Sequence, residues 1–349
     1  MQTPCSGAPA LTGSDPHGRG LASAPELAWV AMVRSVLLAS PRGYCAGVER
    51  AVETVEKALD LYGSPVYVRK QIVHNLHVVR DLETRGAVFV ESEEEVPEGA
   101  TVVFSAHGVA PTVYERASER RLATIDATCP LVTKVHVQAR RYAADGYTVV
   151  LIGHAGHEEV VGTMGEAPDS IVLVESVDDV ESLAFPDGAK LAYVTQTTLS
   201  VDETAEIIGA LRRRFPTIHA PKKEDICYAT SNRQWAVKEM LGEIDLLLVI
   251  GSRNSSNSNR LVETARARGV PAHLIDDESE IDERWLADVD VVGLTSGASA
   301  PEKLVERVCE WFRTRGVREI SAYRLVEEEV EFRLPVELRR ELALAESQR

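Results

Sequence analysis

The sequence predicts an α/β protein: three related α/β modules with mostly parallel sheets, set as a pseudo-threefold trefoil around a common centre. Three observations point there. From Ser35 onward, short apolar runs alternate with polar or glycine-rich loops and amphipathic helices, the pattern of parallel sheets with crossover helices. Three cysteines, Cys45, Cys129 and Cys227, each stand where a loop becomes a helix. The polar residues that follow them recur at matched intervals.

"SPRGYCAGVERAVETVEKAL" places Cys45 before a helix whose stripe is Val48, Val52, Val55 and Leu59. "PVYVRKQIVHNLHVVRDL" reads as strand, loop with His74, then helix. "TVVFSAHGVAP" is a strand ending at Ser105 with His107 in the loop. "DATCPLVTKVH" follows Cys129 with Pro130, a first-turn proline. "TVVLIGHAGHEEV" ends its strand near Gly153 and then offers His154, His157 and Glu159. "LAYVTQTTLSVDETAEIIGAL" carries Thr197 before a helix opened by Ser200 and Glu203, a capping box. "DICYATSNRQWAV" places Cys227 ahead of a second capping box, Ser231 with Gln234. "DLLLVIGSRNSSNSNRLVETA" brings Ser255, Ser256 and Asn257 to a helix start, and "DVVGLTSGASAPEKLVERV" brings Ser299.

Cys45 is followed by His74 at +29 and His107 at +62, Cys129 by His157 at +28 and Thr197 at +68, and Cys227 by Ser255 at +28 and Ser299 at +72. The module boundaries this implies are 46–128, 129–224 and 225–334, the last completed by an N-terminal strand over 34–45. Loops at the carboxyl ends of parallel strands converge on a ligand crevice, so three such copies would bring three thiols to one point. A helix N-terminus lowers a thiol's pKa and favours the thiolate that binds soft metals. Three thiolates suit zinc with an open fourth position or an iron–sulfur cluster with one iron free of protein sulfur, and spacing alone leaves both open. Cys309, within "PEKLVERVCEWF", reads as core, and Cys5 lies in a Pro-, Gly- and Ser-rich stretch that makes 1–33 a disordered tail.

Composition narrows the function. A net charge of −16 argues against nucleic-acid binding, and no apolar run approaches the length of a membrane span. Five cysteines without a C-x-x-C pair do not form a disulfide framework, so a cytoplasmic location is expected. No complete dinucleotide or P-loop fingerprint occurs, so electrons for any reduction must come from outside. The basic runs "RRRF" and "PKK" read as a solvated helix end and loop. The alternation of Val330, Phe332 and Leu334 reads as an edge strand, followed by a frayed charged tail over 335–349.

"GYCAGVERAV", "QIVHN", "SAHGV", "DATCPLVTKVH", "GHEEVVGTMGE", "TQTTLS", "DICYATSNRQ", "GSRNSSNSNRL" and "TSGASAPE" together resemble the 4-hydroxy-3-methylbut-2-enyl diphosphate reductase family, in order from about Val33 to Leu334. The resemblance implies a trefoil around one [4Fe–4S] cluster per chain, ligated by Cys45, Cys129 and Cys227. It implies that His74, His107 and His157 line a diphosphate site, that Ser255, Ser256, Asn257 and Ser299 hold phosphate oxygens, that Thr197 sits beside the substrate hydroxyl, and that Glu159 supplies protons. Glu158 is expected to face elsewhere. The implied reaction removes an allylic hydroxyl as water with two electrons and two protons, giving isopentenyl and dimethylallyl diphosphates. A ferredoxin or flavodoxin is the implied donor. A monomer is expected, because a pseudo-threefold chain completes its own centre. The rival readings are a three-cysteine zinc phosphohydrolase or deaminase and a non-catalytic cluster sensor.

Overall fold

A computed structural model describes residues 33–347; the tail expected over 1–33, Cys5 included, lies almost wholly outside the described residues. The chain opens with β1 (Ser35–Ser40) and α1 (Ala46–Tyr62). It continues through β2 (Val66–Arg69), α2 (Leu76–Thr84), β3 (Ala87–Val90), β4 (Thr101–Phe104), α3 (Pro111–Glu119), β5 (Ala123–Asp126) and α4 (Pro130–Ala144). Next come β6 (Thr148–Ile152), α5 (Glu158–Gly165), β7 (Ile171–Val174), α6 (Val177–Ser182), β8 (Leu191–Thr195) and α7 (Val201–Arg214). The last part holds α8 (Tyr228–Met240), β9 (Leu246–Ile250), α9 (Ser256–Arg266), β10 (Ala272–Ile275), β11 (Val291–Ser296), α10 (Glu302–Thr314), β12 (Glu319–Arg324) and α11 (Val336–Ser347).

These strands make three sheets, ordered β3-β2-β4-β5, β7-β6-β8 and β10-β9-β11-β1-β12. Every pairing between these strands is parallel, as the alternation of strands and helices requires. Parallel sheets are buried on both faces, and apolar strands such as "LLLVI" and "TVVLI" are almost wholly inaccessible. Each sheet carries an apolar cluster on both faces: Val55, Val68 and Ile125 with Val96, Val102 and Phe104; Val150, Tyr193 and Leu211 with Val135, Leu151 and Val194; Val36, Leu248 and Phe312 with Ala39, Leu247 and Met240. Cys309 lies in the cluster of Val36, Leu248 and Phe312, 5% exposed. Among the described residues no helix is long and apolar enough to cross a membrane.

Two local expectations are overturned. Residues 330–334 form no strand; the edge strand is β12, which pairs along the whole of β1 from Ser35↔Glu319 to Ser40↔Arg324. Phe332 is instead turned toward a pocket, which is why the alternation mimics a half-buried strand. Residues 336–347 are not a frayed tail but α11, whose Leu338 is fully buried in the core under α1, with Leu342 one turn on packing against the same cluster.

Candidate active site

Six strand ends deliver the polar residues to one place. β2 leads to His74, β4 to His107, β6 to His157, β8 to Thr197, β9 to Ser255 and β11 to Ser299. Cys45, Cys129 and Cys227 are the N-cap residues of α1, α4 and α8. One hydrogen bond recurs at all three. The Cys45 N–H donates to Ala298 O (3.2 Å), Cys129 N–H to Ala106 O (3.0 Å) and Cys227 N–H to Thr197 O (3.0 Å). Each cysteine is thus tied to the strand-end loop that carries Ser299, His107 or Thr197, so the matched sequence intervals become matched backbone contacts.

The twelve residues named from the sequence line a single pocket, with about 740 Å³ between its walls, part of it open to solvent. The sulfurs crowd together. A Cβ placed on Gly47 would lie 2.7 Å from Cys129 Sγ and 3.8 Å from Cys45 Sγ. Burial, and then the nearby Cys45 sulfur, push Cys129 up to about 12 and Cys227 up to about 11. The helix-start N–H groups of Leu131, Val132 and Thr230 do pull these pKa values down, as expected, but desolvation outweighs them. Thr230 donates to Cys227 Sγ from its backbone N–H (3.4 Å). That makes Cys227 itself the cap of α8 and corrects the capping box expected at Ser231 and Gln234. The Gln234 side chain serves the neighbouring unit instead, accepting from Val201 N–H and donating to Leu199 O. Three half-buried thiols with no disulfide between them, with the Cys45 sulfur raising the pKa of the other two, are a donor set that suits a soft, cationic metal centre.

Against the thiols stands an imidazole cluster. His74 and His107 stack with ring centroids 3.9 Å apart, and His157 meets both edge-on at 5.4 and 6.0 Å. Burial holds His74 down to about 2 and His107 and His157 down to about 4, so all three are neutral at pH 7. Glu158 does not face elsewhere: its Oε2 lies 3.1 Å from His107 Nδ1, and burial raises its pKa. Its direction is not legible in the sequence, because α5 starts on it and first-turn residues point back past the cap.

Glu159 is 2% exposed. Its Oε1 accepts from Thr197 N–H (2.5 Å) and its Oε2 from Thr197 Oγ1 (3.1 Å). Burial lifts its pKa to about 7, against the pull of those two bonds. The hydroxyl loop is already knitted. Ser255 caps α9, Ser256 Oγ donates to Thr198 O (3.0 Å), Ser299 Oγ donates to His74 O (2.9 Å), and Asn257 bridges Ala298 N–H and Thr230 Oγ1. His77 pairs with Asp277 and His154 leans on Gln196, which leaves both out of this pocket. Thr198, Tyr228 and Thr230 line it and were not singled out from the sequence, and Phe332, read there as part of an edge strand, lines it too. Thr230 carries a readable signal, a hydroxyl three residues past a helix-heading cysteine; Phe332 carries none.

A model of the LytB protein family matches residues 36–313. The chain belongs to the LytB family. A relative from Acidothermus cellulolyticus, named 4-hydroxy-3-methylbut-2-enyl diphosphate reductase, is 63% identical over 313 residues, covering 88% of this chain and 91% of the relative. One from Mycobacterium tuberculosis H37Rv, named 4-hydroxy-3-methylbut-2-enyl diphosphate reductase 2, is 60% identical over 307 residues, covering 88% and 92%. The solved E-1-hydroxy-2-methyl-but-2-enyl-4-diphosphate reductase of Plasmodium falciparum superposes with a TM-score of 0.87 at 40% identity, over 90% of this chain and 99% of that one.

Proposed function

We propose that this LytB chain reductively removes the hydroxyl of (E)-4-hydroxy-3-methylbut-2-enyl diphosphate, consuming two electrons and two protons and releasing water with isopentenyl and dimethylallyl diphosphates. The observation that carries the reading is a shared pocket in which three thiols, three neutral imidazoles and one buried carboxyl near pKa 7 all open on the same space.

Cys45, Cys129 and Cys227 would hold one [4Fe–4S] cluster. When bound, such a centre supplies electrons and a Lewis-acidic position for the departing oxygen. The remaining work falls to side chains. His74, His107 and His157 are neutral while the pocket is dry, and a diphosphate among them favours their protonation, converting three acceptors or single donors into cationic double donors. Ser255 and Asn257, with the N–H groups at the start of α9, add donors without adding charge, and Ser256 and Ser299 do so by exchanging their bonds to Thr198 O and His74 O for phosphate oxygens. Glu159, near pKa 7, is about half protonated at neutral pH and can release that proton to a leaving hydroxyl. Thr197 holds the carboxyl in place by two bonds and sets its own hydroxyl beside the reacting oxygen. The electrons would arrive from a ferredoxin or flavodoxin. One chain completes the pocket, in keeping with a monomer, and the cytoplasm is the proposed location.

The test is anaerobic turnover with reduced methyl viologen. Brown, iron- and sulfide-containing protein that converts the allylic alcohol diphosphate supports the reading; colourless zinc-loaded protein that turns over, or iron protein that does not, overturns it.

A further inference from the structure

Residues 325–335 link β12 to α11 without regular structure, yet two buried arginines hold them. Arg233 on α8 is 0% exposed; its Nη1 donates to both carboxylate oxygens of Glu328 (3.2 Å each) and to Ala229 O (3.0 Å), and its Nη2 donates to Gly43 O (2.8 Å). Asn232 adds a bond to Glu328 Oε1 (3.0 Å). Arg50 on α1 is 9% exposed; its Nε donates to Arg333 O (2.7 Å), Nη1 to Thr128 O (3.0 Å) and Nη2 to Asp126 O (3.3 Å).

The far ends of those bonds are the point. Gly43 lies two residues before Cys45, Thr128 one before Cys129 and Ala229 two after Cys227. Each guanidinium therefore grips residues 328–333 with one edge and the backbone flanking a pocket cysteine with another. Burying a guanidinium is costly unless its N–H groups are met; here both Nη atoms of Arg233 are met while its Nε is not, and the planar fork spans several carbonyls that an ammonium could not reach together. Between the two anchors Phe332 lines the same pocket as the three sulfurs.

We propose that Arg50 and Arg233 are positioning residues that clamp residues 328–333 as a fixed strap across the thiol end of the pocket, with Phe332 the wall that keeps solutes from the sulfurs. The proposal rests on the reductase reading only in giving the sulfurs a metal centre to protect; access to the thiols can be measured without one.

The experiment follows alkylation of Cys45, Cys129 and Cys227 in metal-free protein by iodoacetamide, resolved residue by residue by mass spectrometry, well below the melting temperature. Phe332→Ala and Arg50→Lys are each expected to speed alkylation by about tenfold as the strap opens, while Phe332→Leu stays near the wild-type rate. Buried Cys309 reports global unfolding: its rate is expected to stay at the wild-type value, and variants in which Cys309 speeds up as much as the three pocket thiols overturn the strap in favour of a merely structural role. In iron-loaded protein the same two variants are expected to lose iron faster to a chelator. Wild-type alkylation rates in either Phe332→Ala or Arg50→Lys overturn the proposal. Failure of the metal reading looks different: no iron binds, while thiol rates still respond to the strap.

Discussion

Gly47→Ala sets two physical effects against each other. Gly47 lies in the first turn of α1, where replacing glycine by alanine favours the helix by up to about 1 kcal/mol. Its added methyl would stand 2.7 Å from Cys129 Sγ and 3.4 Å from Cys129 Cβ. Overpacking of that kind costs about 1–3 kcal/mol when the neighbour cannot yield. In metal-free protein the Cys129 side chain can yield by changing rotamer, for about 1 kcal/mol, so the melting temperature is expected to move little. A thiolate bound in a cluster cannot move. The whole clash then falls on the metal centre, weakening it roughly 5- to 150-fold. The assay is iron and sulfide per chain after anaerobic reconstitution, followed by competition with a chelator, beside a melting curve of the metal-free form. Full iron loading with wild-type resistance to the chelator would refute the reasoning, because it would mean that Cys129 does not point at the bound metal.

Glu159→Gln is expected to keep the iron content while turnover falls by about 10²- to 10⁴-fold. In the wild type kcat/KM should decline above pH 7, as the Glu159 carboxyl loses its proton, and that limb should vanish in the variant; an unchanged limb removes Glu159 from the proton path. The same raised pKa gives stability that is full below the ordinary carboxylate range and lost as pH climbs through about 7, so Glu159→Gln should flatten the melting temperature there. The three histidines work the other way: held near 2 to 4, they stabilise the empty fold above pH 6.5 and lose that contribution as pH falls. Inorganic diphosphate should therefore bind with net proton uptake at pH 7, read by calorimetry in two buffers of different ionisation heat, and a buffer-independent heat would contradict this. Leu338→Ala should destabilise by about 2–5 kcal/mol, measured by denaturant unfolding, whereas a truly frayed tail would show no change.

Much of the site could be read before any coordinates because parallel-sheet folds put chemistry at predictable chain positions. A cysteine before "AGVERAV" and a serine cluster after "LLLVIG" are strand-end and helix-start residues whichever way the sheets are ordered. What escaped depends on distance through space. The pKa of Cys129 follows from how deeply three remote segments bury each other's sulfurs, which no local window contains. Glu158 reaches His107 across an interface between two sheets' loops. Alternation at Val330, Phe332 and Leu334 has the period of a strand, but its cause is a strap held by Arg50 and Arg233 from two other helices. Leu338 and Leu342 did carry the helical i, i+4 signal, masked by the charged residues around them.

The most direct measurement is the Mössbauer spectrum of anaerobically purified, ⁵⁷Fe-loaded protein with and without the allylic alcohol diphosphate. Three cysteine ligands on a cubane leave about a quarter of the iron without a protein sulfur. The expected result is a distinct signal of about that fraction that shifts when the diphosphate is added. Iron that is all alike and indifferent to the diphosphate, or protein that carries zinc in its place, would contradict the assignment of Cys45, Cys129 and Cys227.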